Sequence, residues 1–342
     1  MITFNEINEQ PSKFAKVSEK YFDLSKSIVN FLKETDPSEI NFVGCGSSYN
    51  LAMGLSFQLN RLGNEKIPSK YFSGSEVAFQ LRKFDENSVL VGLSRSGETT
   101  ETVQALKRVK DEFGVKTLAI SCEPESSLTK VADVSVVLDF VNEKSVVMTQ
   151  SFTSMAFFTS ALIRDLVEPD RSSLERYLRS IPNNATDVLK NTERLLEKID
   201  VESYDHFVFL GYDEYFASSL EGVTKVTETS LSEVEAFQTL EYRHGPKSKV
   251  SEKTLACVLS NHLLHSEEEK MAHEIANLGG TVINISKKEM KGVQNLVIPY
   301  NSDDFGDWFL KVIPLQIFGV KKAIKKGLDP DNPKNLTRVV KL

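Results

Sequence analysis

The stretch Leu90-Val91-Gly92-Leu93-Ser94-Arg95-Ser96-Gly97-Glu98-Thr99 decides how the rest of the chain is interpreted. The apolar run from Val89 to Leu93 is typical of a buried strand, and apolar residues return at helical spacing after Thr99. The turn between them carries three hydroxyl side chains and a glycine. The first N–H groups of a helix have no partners inside the helix, and the helix dipole makes that end positive. The stretch therefore predicts a strand, a turn that fits a phosphate, and a helix.

A second turn of the same kind lies upstream. The strand-like residues Ile40 to Val43 lead into Gly44-Cys45-Gly46-Ser47-Ser48-Tyr49-Asn50, and an amphipathic helix follows. One such turn alone is as consistent with an ordinary helix cap as with an anion site. Two of them in successive βα units meet at the carboxyl edge of a parallel sheet, where open α/β folds bind ligands. We therefore predict a phosphate site, without the nucleotide-binding Walker or G-x-G-x-x-G pattern.

The rest of the chain continues the alternation of strands and helices. Further strands are predicted at Ser69 to Phe72, Lys116 to Ser121, Val134 to Leu138, His206 to Leu210, Thr254 to Leu259 and Thr281 to Ile285. Because Phe42-Val43-Gly44 is echoed by Phe209-Leu210-Gly211, the two halves resemble a diverged repeat. Tyr212-Asp213-Glu214 replaces the small residues in the second copy, and its acidic groups would repel phosphate. We predict an α/β fold with two tandem doubly wound parallel-sheet domains and one phosphate site.

The expected organisation has five parts. They are a cover helix (1–39), a first domain (40–168), a helical linker (169–199), a second domain (200–330) and a C-terminal tail (331–342). The helical region over 143–199 is expected to be broken into about three pieces, at Pro169 and Pro182.

Composition excludes several functional classes. The chain has 342 residues, 40% of them hydrophobic, and a net charge of −7, with no basic cluster for nucleic acid or a membrane surface. No apolar stretch reaches the ~20 residues of a membrane span, and no signal peptide is expected. Three scattered cysteines predict free thiols in the cytoplasm. The histidine and cysteine spacing matches no zinc signature, so no metal or cofactor is expected.

Two features of the second half carry candidate chemistry. Glu221, Lys225 and Glu228 recur at i, i+4 and i+7, which places them on one face of a helix. Such a face is more often a solvated salt-bridged surface than a pocket. The segment Tyr242-Arg243-His244-Gly245-Pro246 sets His244 in a turn that can present it to a ligand, although a histidine there is more often structural.

Taken together, these four motifs resemble the sugar isomerase (SIS) family with two tandem, flavodoxin-like domains. The pattern is similar to the isomerase half of glucosamine-6-phosphate synthase and to the amino-sugar-phosphate deaminase/isomerase group. The resemblance implies that the sugar phosphate is held by Gly46, Ser47, Ser48, Ser94, Arg95, Ser96 and Thr99. It implies that Glu228 moves a proton between C1 and C2 with Lys225 beside it. It also implies a homodimer in which the partner subunit supplies His244 to open the sugar ring.

Two departures from the synthase pattern shape the expected function. No glutamine-hydrolysing domain precedes residue 40, and Arg338 stands where the synthase tail has an imine-forming lysine; arginine is a poor amine nucleophile, but it can contact substrate oxygens. We therefore expect deamination of glucosamine-6-phosphate to fructose-6-phosphate and ammonia. Galactosamine-6-phosphate deamination, ketose–aldose isomerisation and a sugar-phosphate-binding regulator are the alternatives. Glu228 and His244 favour an enzyme, because a sensor needs only the phosphate turns.

Overall fold

The computed structural model describes residues 1–63, 66–80, 83–168, 170–260, 263–299, 306–340 and 342. The chain forms two compact units. The first unit comprises Ser12–Lys144, Gln150–Arg179 and Thr337–Leu342, and the second comprises Met1–Pro11, Ser145–Thr149 and Ser180–Leu336. Each unit contains one sheet.

The described strands and helices alternate along most of the chain. The strands are β1 (Glu39–Gly44), β2 (Tyr71–Ser73), β3 (Ser88–Ser94), β4 (Lys116–Ser121), β5 (Val134–Val137), β6 (His206–Gly211), β7 (Glu233–Gln238), β8 (Thr254–Leu259), β9 (Thr281–Ser286) and β10 (Gln294–Val297). The helices are α1 (Ile2–Asn8), α2 (Gln10–Thr35), α3 (Ser47–Leu62), α4 (Gly74–Phe79), α5 (Thr100–Phe113), α6 (Ser127–Val131), α7 (Gln150–Val167), α8 (Arg171–Leu196), α9 (Glu214–Ser230), α10 (His265–Asn277) and α11 (Val312–Lys325).

The sheet of the first unit is parallel, with strand order β2-β1-β3-β4-β5. The order reverses between β1 and β3, which is the point where doubly wound sheets bind ligands. Every residue of β3 is buried, as expected for a strand covered on both faces by helices. The apolar run before the second serine-rich turn therefore forms the centre of this sheet.

The sheet of the second unit repeats this connectivity, with order β10-β9-β8-β6-β7 and all pairs parallel. The local backbone repeats as well. Gly46 caps α3 at φ 57° and ψ −126°, and Asp213 caps α9 at φ 50° and ψ −121°. Gly44 and Gly211 each leave no room for a Cβ, which would lie 2.4 Å from a carbonyl oxygen of the following helix. The prediction of two tandem doubly wound domains is confirmed.

The N-terminal region differs from the single cover helix expected over 1–39. It forms α1 and α2, which separate at Glu9, and the first N–H groups of α1 bind the carboxylate of Asp331. The apolar stripe of α2 is buried as its spacing predicts, at Phe14, Val17, Tyr21 and Ile28.

The expected helix break at Pro182 is wrong, because α8 runs through it. A proline inside a helix removes the N–H that would bind the carbonyl four residues earlier. The hydroxyl of Ser18 donates to that carbonyl, of Leu178, at 2.6 Å. An external donor thus replaces the lost bond and the helix continues. Among the described residues, no helix combines the length and apolarity needed to cross a bilayer.

Candidate active site

The two serine-rich turns of the first unit follow neighbouring strands. Phe42 pairs with Val91 and Val43 with Gly92, so β1 and β3 end side by side at the carboxyl edge of the sheet. This neighbourhood is the one that the sequence predicts for a ligand site.

The turn after β3 is held by its own hydroxyl groups. The Ser94 hydroxyl accepts from the Gly97 N–H at 3.0 Å and lies 3.5 Å from the Thr99 hydroxyl. The Ser96 hydroxyl accepts from the Glu98 N–H at 3.2 Å. Gly97 adopts φ 63°, and a Cβ there would lie 2.0 Å from the hydroxyl oxygen of Ser126. Only glycine fits this position without moving the backbone.

The helices that follow the turns lack the side-chain cap that the ordinary interpretation requires. Neither Gly46 before α3 nor Thr99 before α5 provides a side-chain cap hydrogen bond. Ser47 and Ser48 are buried in the first turn of α3. Glu98 directs its carboxylate to the N–H and hydroxyl of Ser127, at 2.8 and 3.1 Å, and so binds the start of α6. The missing side-chain cap at Thr99 favours an anion site at the start of α5 over a simple helix cap.

A buried ion pair lies directly behind the second turn. The Arg95 guanidinium binds the Glu143 carboxylate at 3.0 Å, and both side chains are buried. Arg95 also donates to the Arg338 carbonyl at 3.1 Å, while Arg338 donates to the Glu143 carbonyl at 2.6 Å and to the Glu123 carboxylate at 3.1 Å. Arg95 and Arg338 are thus in contact, and the charge of Arg95 is paired with the carboxylate of Glu143.

Helix α9 of the second unit carries the predicted line of charges. The Lys225 ammonium lies 3.3 Å from the Glu221 carboxylate and 2.7 Å from that of Glu228. Glu221 and Lys225 are buried, whereas the Glu228 side chain is 26% exposed. A solvated salt-bridged face would expose all three. Glu228 is the member of the line that a substrate can reach, and its carboxylate can accept a proton.

Close helix packing fixes this line of charges. A Cβ on Gly222 would lie 2.4 Å from the Leu315 side chain, and one on Gly319 would lie 2.6 Å from the Thr229 hydroxyl. Helices α9 and α11 therefore pack with glycine at their contacts, which holds the charged face in one orientation.

The predicted histidine lies in an anchored turn. Tyr242 is fully buried, and Gly245 adopts φ 125°, a conformation that favours glycine. Arg243 and Lys247 bind the Glu274 carboxylate of α10 at 2.9 and 3.0 Å. Burial acts to raise the pKa of Glu274, but these two cations hold that pKa below its ordinary value.

The imidazole between these anchors is free. His244 is exposed and makes no hydrogen bond through its side chain to any residue that the structure describes. The turn therefore presents His244 to the outside of the unit.

Two residues at the turn after β3 escape sequence reasoning. Glu143 lies after β5 in a segment with no periodic pattern, and it is recognised only by its contact with Arg95. Glu98 lies inside the predicted phosphate turn, where a negative charge would oppose anion binding. The structure shows that its carboxylate binds the start of α6 instead.

Comparison with known proteins agrees with this architecture. Residues 35–164 match the model of the SIS domain. The crystal structure of glucosamine-6-phosphate deaminase from Thermotoga maritima is 34% identical, covers 99% of both chains and superposes with a TM-score of 0.84. The chain belongs to the SIS-domain family. The resemblance drawn from the four motifs is confirmed.

Two further relatives extend the comparison. The glutamine–fructose-6-phosphate aminotransferase (isomerizing) of Helicobacter pylori is 26% identical over 89% of this chain, and this chain spans about half (52%) of that protein. The tagatose-6-phosphate ketose/aldose isomerase of Escherichia coli shares the fold, with a TM-score of 0.83, 18% identity and coverage of 98% of this chain and 96% of that one. All three of these relatives carry the names of enzymes, which agrees with the expectation of an enzyme rather than a binding module.

Proposed function

We propose that this SIS-domain enzyme deaminates glucosamine-6-phosphate to fructose-6-phosphate and ammonia. The observation that carries the proposal is the accessible Glu228 carboxylate, held by the buried Lys225 ammonium at 2.7 Å. The end-to-end similarity to a deaminase, at 34% identity, supports this choice of substrate.

The proposed reaction needs one carboxylate that moves a proton between adjacent carbons. In the open-chain sugar, Glu228 takes the proton from C2 and the electron pair shifts to the C1 oxygen, which takes a proton from water to give an enolamine. Glu228 then returns a proton to C1, which leaves a C1 hydroxyl and a protonated imine at C2. Water adds to that imine, and ammonia leaves to give the ketone of fructose-6-phosphate. Lys225 stabilises the negative charge that develops during the transfer.

The serine-rich turns bind the phosphate group of the substrate in this proposal. In the proposal, Gly46, Ser47, Ser48, Ser94, Ser96 and Thr99 hold the phosphate through hydroxyl and backbone donors at two helix starts. Because its guanidinium already pairs with Glu143, Arg95 contributes by fixing the turn. The tail residue Arg338 contacts sugar oxygens as a hydrogen-bond donor and forms no imine.

We propose that the enzyme is a homodimer and that His244 of each protomer serves the partner. Support comes from the exposed imidazole, which lies on an anchored turn and has no side-chain hydrogen bond to a described residue. His244 would move a proton between the ring oxygen and the C1 oxygen as the pyranose opens. The three cysteines are free thiols, which supports a reducing compartment such as the cytoplasm.

Incubation with glucosamine-6-phosphate, with ammonia and fructose-6-phosphate measured in parallel, tests the assignment. We expect equal amounts of both products. Galactosamine-6-phosphate and tagatose-6-phosphate serve as competing substrates, and turnover of either one with glucosamine-6-phosphate left unchanged would contradict the proposal. Glu228→Gln should abolish turnover, whereas Glu241→Gln, which alters an exposed carboxylate beside His244, should retain it.

A further inference from the structure

A cluster of potential metal ligands lies at the amino edge of the second sheet, where β6 and β7 begin. His206 and Glu233 begin the neighbouring strands β6 and β7 and pair with each other in register. One ligand atom each from His206, Glu233 and Glu235 lies within 4.8 Å of the other two. The histidine and the glutamates lie on different strands, and all of α9 separates them in the sequence. No local spacing in the sequence therefore predicts this group.

Orphaned polar atoms point into this cluster. The Nε2 atom of His206 and one carboxylate oxygen of Glu235 lie 3.5 Å apart and are both buried, and neither has a hydrogen-bond partner among the residues that the structure describes. His206 as a whole is 8% exposed. A buried nitrogen facing a buried carboxylate oxygen, with no hydrogen bond between them, is costly unless a cation neutralises the pair.

A third orphaned atom comes from a different segment. The Tyr242 side chain is fully buried, and in the described part of the chain its hydroxyl has no hydrogen-bond partner. Burial, followed by the nearby charge of Glu235, raises the pKa of Tyr242 to about 12. The charge of Glu235 is thus near enough to act on this hydroxyl.

The second nitrogen of the histidine is already oriented. His206 Nδ1 lies 3.2 Å from the Thr254 hydroxyl at the start of β8. Such a bond to the ring nitrogen that does not bind metal is the usual way in which proteins fix a ligating histidine. With Nδ1 bonded to Thr254, Nε2 is the nitrogen left to face Glu235.

We propose that His206, Glu233 and Glu235 bind one divalent transition metal ion, with zinc as the best fit. Imidazole and carboxylate ligands suit zinc, at about 2.0–2.2 Å from the ion. Tetrahedral geometry with such bonds places neighbouring ligand atoms about 3.3 Å apart, close to the 3.5 Å between His206 and Glu235.

The ammonium group of Lys249 competes with a metal ion for the same carboxylates. The Lys249 ammonium lies 2.9 Å from Glu233 and also binds Glu235. Its side chain is 47% exposed, so it can turn into solvent when a doubly charged ion enters. The carboxylate oxygen that Lys249 leaves unpaired is the Glu235 oxygen that faces His206. This competition gives the proposal its sharpest consequence, because removal of Lys249 should strengthen zinc binding.

Isothermal titration of chelator-treated protein with zinc chloride tests the site. We expect one zinc per chain in the wild type, binding at least about 10-fold weaker in His206→Gln and Glu235→Gln, and binding about 10-fold tighter or more in Lys249→Met. His273→Gln is the matched control, because His273 is only partly buried and binds the Lys291 carbonyl away from the cluster.

Three outcomes would overturn the proposal. They are the absence of zinc binding in both the wild type and Lys249→Met, equal binding in Lys249→Met and the wild type, and unchanged binding in the two ligand variants. If a ligand variant fails to fold, Lys249→Met still decides, because it keeps all three ligands. Magnesium chloride serves as the comparison ion and should bind more weakly, since magnesium prefers oxygen ligands.

Discussion

Gly97→Ala is the substitution that most directly probes the architecture of the phosphate turn. Two effects add at this position. A left-handed conformation at φ 63° costs an alanine about 1–2 kcal/mol, partly offset by about 0.4–1 kcal/mol because alanine restricts the unfolded chain. The new Cβ would also lie 2.0 Å from the Ser126 hydroxyl oxygen and 2.4 Å from the Ser126 Cβ.

The overlap with the Ser126 Cβ cannot be relieved by rotating a side chain, because that atom is fixed to the backbone. Overpacking of this kind costs about 1–3 kcal/mol, so the total loss in the free energy of unfolding is expected to be about 2–4 kcal/mol. Gly114→Ala is the matched control. Gly114 adopts φ 70°, and no atom lies within 4 Å of the position that a Cβ would take, so only the conformational cost remains, about 1 kcal/mol.

Thermal unfolding followed by circular dichroism measures both variants. A loss of 1 kcal/mol lowers Tm by about 2–4 °C in a domain of 150–250 residues, so Gly97→Ala should fall by about 4–16 °C and Gly114→Ala by about 4 °C or less. Added inorganic phosphate should raise the Tm of the wild type and of Gly114→Ala, but not that of Gly97→Ala. Equal losses in the two variants, or equal stabilisation by phosphate, would refute the reasoning.

Three further substitutions test the contacts around the two sites, each by denaturant unfolding. Arg95→Met should cost about 3–5 kcal/mol, because it leaves Glu143 buried without its cation; a loss below about 1 kcal/mol would show that the pair is open to water. Asp331→Ala should cost about 1 kcal/mol at neutral pH through the lost cap of α1. Burial acts to raise the pKa of Asp331, but backbone hydrogen bonds hold that pKa below its ordinary value. The cost of Asp331→Ala is therefore present above pH ~3.9 and should disappear as pH falls through the lower folded pKa. A cost that persists at pH 2 would contradict this reasoning. Gly222→Ala should cost about 1–3 kcal/mol, because its Cβ would lie 2.4 Å from Leu315, and an unchanged midpoint would show that α9 and α11 are not tightly packed.

The sequence predicts those parts of the fold that rest on local patterns. β4 and β8 have the predicted bounds, and β3 extends its predicted apolar run by one residue at each end. The strands β7 and β10 do not follow from such patterns. Each lies at an edge of the second sheet and carries polar residues, so its pairing with a neighbour is what makes it a strand.

The candidate site divides in the same way. The turns and the charged face of α9 follow from spacing, because a strand end or a helix face places their side chains together. The partner of Arg95 does not, since Glu143 lies 48 residues away in an irregular segment. The uninterrupted course of α8 through Pro182 depends likewise on Ser18, a donor from a distant helix. Contacts between segments far apart in sequence leave no periodic signal in either segment.

Deuterium incorporation at C1 of the product tests the central claim most directly. The reaction is run in D2O with glucosamine-6-phosphate, and the fructose-6-phosphate is analysed by mass spectrometry. If Glu228 carries the proton, deuterium should appear at C1 with wild-type protein to the extent that its carboxyl group exchanges with solvent before it returns the proton, and Glu228→Gln should release neither labelled product nor ammonia. Ammonia release or deuterium incorporation at C1 by Glu228→Gln at the wild-type rate would contradict the account.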